Sequence, residues 1–296
     1  MAGVFAIARP NNDGRYVSGP NPSDRGQTAG VGGESVVEFL KNRAPKLGKP
    51  FCLFISLVNP HDIGVYPGSW MKPSAWEQAG YRREDFAHLG INLPSNYADD
   101  LSTKPKIQKQ AREAYDKQVP LNDEQARVDY VNFYAYLHTV VDKHIITVLD
   151  TLEETDLTND TIILRFADHG EGGLSHGMRE KAYTAYEEMI HVPLIVHNPK
   201  LYPEPLETSA FYDHLDLLPT ILDLAGVPNP EILRHRQEHR SDHTRSLTVG
   251  AGPYDLLLRR CLLPPTQRFR RPYSGDPRGR LDLCGLLRPR WIRAGI

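Results

Sequence analysis

Residues 161 to 173, TIILRFADHGEGG, constrain what this chain can fold into more than any other stretch. Thr161 to Phe166 is an apolar, β-branched run of the length that fills a buried parallel strand, and glycines at 170, 172 and 173 then break it. In open α/β sheets, ligands bind beyond the carboxyl ends of such strands. Asp168 and His169 stand at that end: a carboxylate oxygen and an imidazole side by side, on a turn that glycine lets approach a neighbour closely. An Asp-His-Gly turn taken alone is equally what ordinary strand termination produces. The residues that follow decide between the two readings.

The rest of the chain supports alternation of strands and helices. Glu34 to Arg43 reads as a short amphipathic helix, followed by a Pro/Gly turn and a strand from Phe51 to Val58. Residues 60 to 121 hold prolines, glycines and aromatics (Trp70, Trp76, Tyr81, Phe86, Tyr97) without long periodicity, an insertion of the kind that shapes a neighbouring site. Asn122 or Asp123 is placed to cap a long helix to about Glu154, along which Tyr130, Phe133, Tyr134, Leu137, Val141, Ile145, Val148 and Leu152 return at three- and four-residue steps. Val192 to His197 reads as another buried strand. Asp213 to Ala225 reads as a helix stopped by Gly226 and Pro228. The expected architecture is a three-layer αβα sandwich with a mostly parallel sheet, its strands 51–58 and 161–166 ending on one edge.

Four blocks in order carry a family resemblance: Asp168-His169-Gly170-Glu171; His176-Gly177-Met178-Arg179-Glu180-Lys181; Tyr186-Glu187-Glu188; and His191-Val192-Pro193-Leu194-Ile195-Val196. The series resembles the C-terminal signature of the sulfatases of the alkaline phosphatase superfamily. PFCLFISLVNPHD (50–62) and HLDLLPTILDLAGVP (214–228) resemble flanking sulfatase blocks, so the likeness covers approximately residues 30 to 230. It implies an alkaline phosphatase-like fold and metal-assisted hydrolysis of sulfate esters. It makes Asp168 and His169 ligands of a divalent cation, Ca2+ first. Many sulfatases carry asparagine where His169 stands, and the imidazole keeps Mn2+ or another transition metal in play. Lys181 matches the lysine that contacts the transferred sulfate, His61 the histidine near the leaving-group oxygen. His176 and Glu171 are placed to line the cleft or support it. A cation, an ammonium and an imidazolium converging on a sulfuryl group would stabilise charge spread over its oxygens.

Duller readings stand beside these. His61 reads also as a hydrogen-bonded loop histidine, and Lys181 and Arg179 as solvated charges. Cys52 reads as a small core residue, and His191 and His197 as structural.

The family's nucleophile, a cysteine or serine in Cys/Ser-x-Pro-x-Arg, has no counterpart here. None of Cys52, Cys261 and Cys284 has that context, and Pro22-Ser23-Asp24-Arg25 is out of register. The expectation is an N-terminally truncated catalytic domain over residues 1–233, inactive on its own. Its substrate in the full-length parent is a saccharide or small-molecule sulfate ester. A phosphodiester or phosphonate ester hydrolase of the same superfamily, or an inactive pseudoenzyme or fragment, is the alternative. Three scattered cysteines give no disulfide framework. The first residues lack a basic n-region, and no apolar run reaches membrane-spanning length, so a cytoplasmic location with no membrane partner is the default expectation.

Charge breaks abruptly near the C-terminus. Residues 234–296 hold 14 arginines, no lysine and five acidic residues. The last lysine is Lys200. An arginine-rich arm suits nucleic acid, but so complete a bias, with neither helical nor strand periodicity, reads better as an out-of-frame or disordered segment. No nucleic-acid partner is expected.

Overall fold

A computed structural model describes residues 2–5, 13–18, 34–68, 74–181, 183–207 and 212–227. The arginine-rich segment 234–296 lies outside the described residues. The chain divides into two compact units, Met1–Leu206 and Glu207–Ile296.

In the first unit, β1 (Ala2–Phe5) and α1 (Asp13–Val17) precede α2 (Val36–Glu38). Ser35 starts α2 through a reciprocal cap: its hydroxyl accepts from the Glu38 amide while the Glu38 carboxylate accepts from the Ser35 amide, satisfying two otherwise orphaned donors. The helix widens into a π-helical turn, Phe39–Arg43, and the chain enters β2 (Cys52–Ile55), which pairs parallel with β1. A 3-10 turn, His61–Val65, and α3 (Ala75–Gln78) follow. Then come α4 (Lys106–Gln118), α5 (Glu124–Glu154), β3 (Ile163–Phe166), α6 (Glu187–Ile190) and β4 (Leu194–His197), with β4 antiparallel to β3. β2, β3 and β4 lie within the expected segments but are shorter than their apolar runs, whereas β1 falls outside any expected strand. Each ends where the backbone turns toward a polar loop.

The 31-residue α5 organises two of the three apolar clusters among the described residues. Asp123 caps it by accepting from the Ala126 amide at 2.8 Å. Its N-terminal half drives Tyr130, Phe133 and Leu137 into an aromatic cluster with Ile63, Tyr66, Tyr81 and Phe86. Phe133 and Phe86 are fully buried and stand 5.1 Å apart, centroid to centroid. Burying one such ring contributes about 2–3 kcal/mol. The C-terminal half packs Val148 and Leu152 against Val36, Phe39 and Leu40, with Leu53 and Ile55 of β2 and Ile163 of β3. Both strands that feed polar loops therefore lean on one helix.

Among the helices not expected from the sequence, α4 is the longest. α4, KIQKQAREAYDKQ, buries only Gln108, so it lacks the apolar stripe by which amphipathic helices are recognised. It is held by polar contacts: the Tyr115 hydroxyl reaches Glu180 and the Arg112 guanidinium reaches the His176 carbonyl.

In the second unit, α7 (His214–Leu224) follows the Asp213 cap. Asp213 accepts from the Leu215 amide, and Asp216 accepts from the Asp213 amide. Gly226, at φ +66°, ends the helix in the left-handed region that glycine adopts without strain.

Candidate active site

Two turns build the site. The first follows β2. Asp13 of α1, 1% exposed, accepts the Val58 and Asn59 amides at 2.9 and 3.1 Å and so fixes the backbone leading to His61. Tyr81 donates its hydroxyl to Asp62 at 2.5 Å and accepts from the Asn59 amide nitrogen at 3.2 Å. Burial and the Asp62 carboxylate push the Tyr81 phenol far above its ordinary pKa. It therefore stays protonated as the donor. His61 itself is exposed, mounted on a turn backed by a polar network in which Asn59 Oδ1 is buried without a hydrogen-bond partner.

The second turn follows β3. Gly170 approaches α6 so closely that a Cβ there would lie 1.9 Å from the Glu188 carbonyl oxygen. The Gly170 and Glu171 amides donate to the Met189 and Glu188 carbonyls. Glycine is required at 170 for that approach. Upstream of this anchor Asp168 points outward, its side chain 86% exposed. His169 donates Nδ1–H to the Gly170 carbonyl at 2.8 Å, which leaves Nε2 as the lone-pair nitrogen, 3.4 Å from Asp168 Oδ2. Two donors bound to one ion at about 2.0–2.5 Å and near a right angle stand about 3 Å apart. The pair therefore fits as two members of a cation's shell. Among the described residues no third His, Cys, Asp or Glu joins them.

Glu171 ties the turn to Lys181. Its Oε1 accepts from the Tyr130 hydroxyl (3.0 Å), the Gly173 amide (3.2 Å) and the Glu180 amide (2.8 Å). Burial, then the charge of Glu180, pushes its carboxyl above the ordinary range, against the pull of those donors. Glu180 in turn accepts from Lys181 Nζ at 2.9 Å and from the Tyr115 hydroxyl at 2.6 Å. Burial alone would raise its pKa. The Tyr115 hydroxyl, the Lys181 ammonium and the charge of His61 outweigh that and hold it below the usual carboxylate value.

The same carboxylate faces the first turn: a Cβ at Gly64, three residues after His61, would lie 3.6 Å from Glu180 Oε1. Glu180 thus bonds Lys181 through one oxygen and faces the His61 turn with the other. Arg179 turns away from it, its side chain 1% exposed, donating to Asp116 and the Val119 carbonyl and covering the Tyr115 ring.

His176 lies differently. Its Nδ1–H donates to Asp99 at 2.9 Å, its Nε2 accepts from Asn96 at 3.3 Å, and its ring stacks on Tyr186 at 3.9 Å. Both ring nitrogens are engaged within the chain, so it braces the cleft wall rather than offering a free donor.

Backbone strain marks this segment. Of the six described non-glycine residues at positive φ, four are Leu174, His176, Glu180 and Tyr183. Such conformations cost about 1 kcal/mol or more each and persist where surrounding contacts enforce them.

Asp13, Tyr81, Tyr115 and Glu180 escape a reading of the sequence alone. Asp13 and Tyr115 lie far along the chain from the motifs, and Glu180 sits inside a motif whose lysine draws the attention.

These elements belong, in part, to the alkaline phosphatase-like fold. The Sulfatase family model matches residues 12–227, and the chain belongs to that family. It is 31% identical over 204 residues to the Delta 4,5-hexuronate-2-O-sulfatase of Bacteroides thetaiotaomicron, covering 67% of this chain and 40% of that protein. It is 29% identical over 197 residues to arylsulfatase K of Gallus gallus, covering 66% and 36%. Among solved structures it resembles the phosphonate monoester hydrolase of Silicibacter pomeroyi, with 26% identity and a TM-score of 0.50 over 67% of this chain and 38% of the other. The chain spans about two fifths of the length of the curated relatives it matches.

Proposed function

We propose that this chain supplies part of the active site of a sulfuric ester hydrolase acting on a saccharide sulfate. The observation that carries the reading is the meeting of His61 and Lys181 around Glu180, in a chain that the sulfatase model matches from residue 12 to 227. The relative named as a hexuronate 2-O-sulfatase supports a sugar as the alcohol.

In this reading Lys181 binds the peripheral oxygens of the sulfate, and His61, on its braced turn, stands at the bridging oxygen to protonate the departing alcohol. Asp168 and His169 would hold a divalent cation, which supplies positive charge to the sulfuryl oxygens. His169 is preset for this role because its Nδ1–H is committed to the Gly170 carbonyl. No Cys/Ser-x-Pro-x-Arg occurs in the 296 residues, so the attacking group belongs to a segment other than this one. The likeness to a phosphonate monoester hydrolase keeps phosphonate or phosphodiester hydrolysis as the second reading.

The test is to assay aryl sulfate and aryl phosphonate monoester, with Ca2+ and with Mn2+, using the chain alone and joined to a segment bearing the nucleophile motif. The expected result is negligible turnover alone and sulfate release from the joined protein, abolished by Asp168→Ala and by Lys181→Met. Phosphonate turnover without sulfate turnover would replace the first reading with the second. Robust turnover by the chain alone would place the nucleophile within it.

A further inference from the structure

The mechanism above gives Lys181 to the substrate, yet its ammonium is bound to a carboxylate. Glu180 Oε2 lies 2.9 Å from Lys181 Nζ, and the other oxygen, Oε1, is fastened by the Tyr115 hydroxyl at 2.6 Å. The backbone on this side is fastened too, since the Glu180 amide donates to Glu171 at 2.8 Å. The residue is held at φ +65°. Four further groups lie around the carboxylate: Lys181 beside it, Glu171 beneath it, Tyr115 from α4 and His61 from the facing turn. A negative charge that only neutralised a stray lysine would not need three separate anchors at a strained backbone position.

Its placement has a chemical consequence. An anionic group taken up by Lys181 must settle within a few ångströms of a fixed carboxylate. A sulfate monoester carries one negative charge. A phosphate monoester of the same shape carries close to two above its second pKa of about 6. Repulsion from a fixed charge scales with the charge of the ligand, so the dianion suffers it twice.

We propose that Glu180 is a specificity-determining residue that selects singly charged sulfate or phosphonate monoesters over doubly charged phosphate monoesters. This rests on the reading of Lys181 as the anion-binding residue. The carboxylate lowers affinity for every anion, and lowers it most for the competitor that otherwise matches the substrate in size and geometry. Discrimination by a built-in repulsive group is a general route to specificity when attractive contacts cannot tell two ligands apart.

The experiment measures binding to the full chain at pH 8, without turnover. Phenyl sulfate, phenyl methylphosphonate and phenyl phosphate are each titrated against the NMR resonance of the Lys181 ε-carbon, identified by its loss in Lys181→Met. In Glu180→Gln, one unit of repulsion is removed for each monoanion and two for the dianion. At about 6 Å in half-exposed surroundings each unit is worth about fivefold. Both monoanions should tighten by about fivefold and phenyl phosphate by about 25-fold, shifting the selectivity ratio about fivefold. Released from Glu180, Lys181 also attracts the dianion more than a monoanion, so the ratio reports the whole change of charge at this pair.

Glu180→Asp, which keeps the charge, should hold the ratio near its original value and guards against a variant that merely perturbs the loop. A ratio unchanged in Glu180→Gln, or changed equally in Glu180→Asp, overturns the proposal while leaving Lys181 as the anion site. If Lys181→Met, titrated by isothermal calorimetry because it lacks the reporting carbon, binds all three probes as well as the parent chain does in the same calorimeter, the anion-site reading fails and the proposal falls with it. Agreement of the two monoanions, one built on sulfur and one on phosphorus, separates selection by charge from selection by element.

Discussion

The turn carrying His61 and the turn carrying Asp168 each follow a four-residue strand, the first paired parallel and the second antiparallel, and they are built on opposite principles. Beneath His61 lie Asp13 and Asp62, each 1% exposed, with Asn59 and Tyr81, and their hydrogen bonds run between each other and the backbone. Asp168, by contrast, is 86% exposed, and its partner His169 is 38% exposed. The first turn is tied down from beneath by buried side chains. The second is tied at its flanks, by the β3–β4 pairing upstream and by Gly170 and Glu171 downstream, and presents its donors outward. A side chain that positions an exposed imidazole has to be locked in the folded chain, whereas ligands to a cation are completed by the ion. The contrast therefore separates residues whose loss is felt in stability from residues whose loss is felt only when a ligand is present.

The sharpest way to break this contrast is to remove its buried carboxylate. Asp13→Ala orphans the Val58 and Asn59 amides, and an unsatisfied buried donor costs about 1–3 kcal/mol. Urea unfolding should show a loss of about 3 kcal/mol, while Asp168→Ala should stay within about 0.5 kcal/mol of the parent. Equal losses in the two variants would erase the distinction between the turns.

Gly170→Ala probes the backbone attachment of the second turn to residues 188 and 189. The new Cβ would meet the Glu188 carbonyl at 1.9 Å, and neither backbone yields without breaking the amide contacts to residues 188 and 189. A cost of about 2 kcal/mol is expected, within the range for overpacking. Because Asp168 and His169 lie upstream of the clash, the variant should also lose cation binding, which Asp13→Ala should keep.

Much of this was legible in the sequence, for reasons that can be named. The helix at 124–154 announced itself because Tyr130, Phe133, Leu137 and Leu152 repeat at helical spacing and become its buried face. Asp168, His169, Lys181 and His61 were visible because they fall inside ordered motifs. The α4 helix was invisible because it buries almost nothing apolar. Asp13 was invisible because its value lies in two amides 45 and 46 residues away, and no local pattern encodes such a contact. The role of His176 shifted for a similar reason. Its partners Asp99 and Asn96, about 80 residues upstream, consume both ring nitrogens.

A smaller effect sharpens the ligand side. With Ca2+ or Mn2+ at ten times its dissociation constant, linkage predicts a gain of about 1.4 kcal/mol in unfolding free energy. Asp168→Ala and His169→Ala should each remove most of that gain, while Tyr81→Phe, which acts on the first turn, should preserve it. Thermal unfolding with and without the ion provides the measurement. A gain retained in both ligand variants would move the cation elsewhere.

The smallest expected effect concerns pH, on the strand that feeds the second turn. His138 of α5 packs on Tyr134 at 4.7 Å between ring centroids, and burial, reinforced by the charge of Arg165 on β3, lowers its pKa below the ordinary histidine value. In the window between that lowered value and about 6.5, the unfolded chain binds more protons at this position than the folded one. Stability from this group therefore rises with pH across the window and is lost as pH falls toward the folded value. One proton sets a ceiling of about 1.4 kcal/mol per pH unit, and a group still partly protonated in both states contributes less. His138→Gln should flatten the acid side of the stability curve below pH 6.5 while leaving the slope above it unchanged. An unaltered acid slope would mean that His138 is not buried against Tyr134 as the packing of α5 requires.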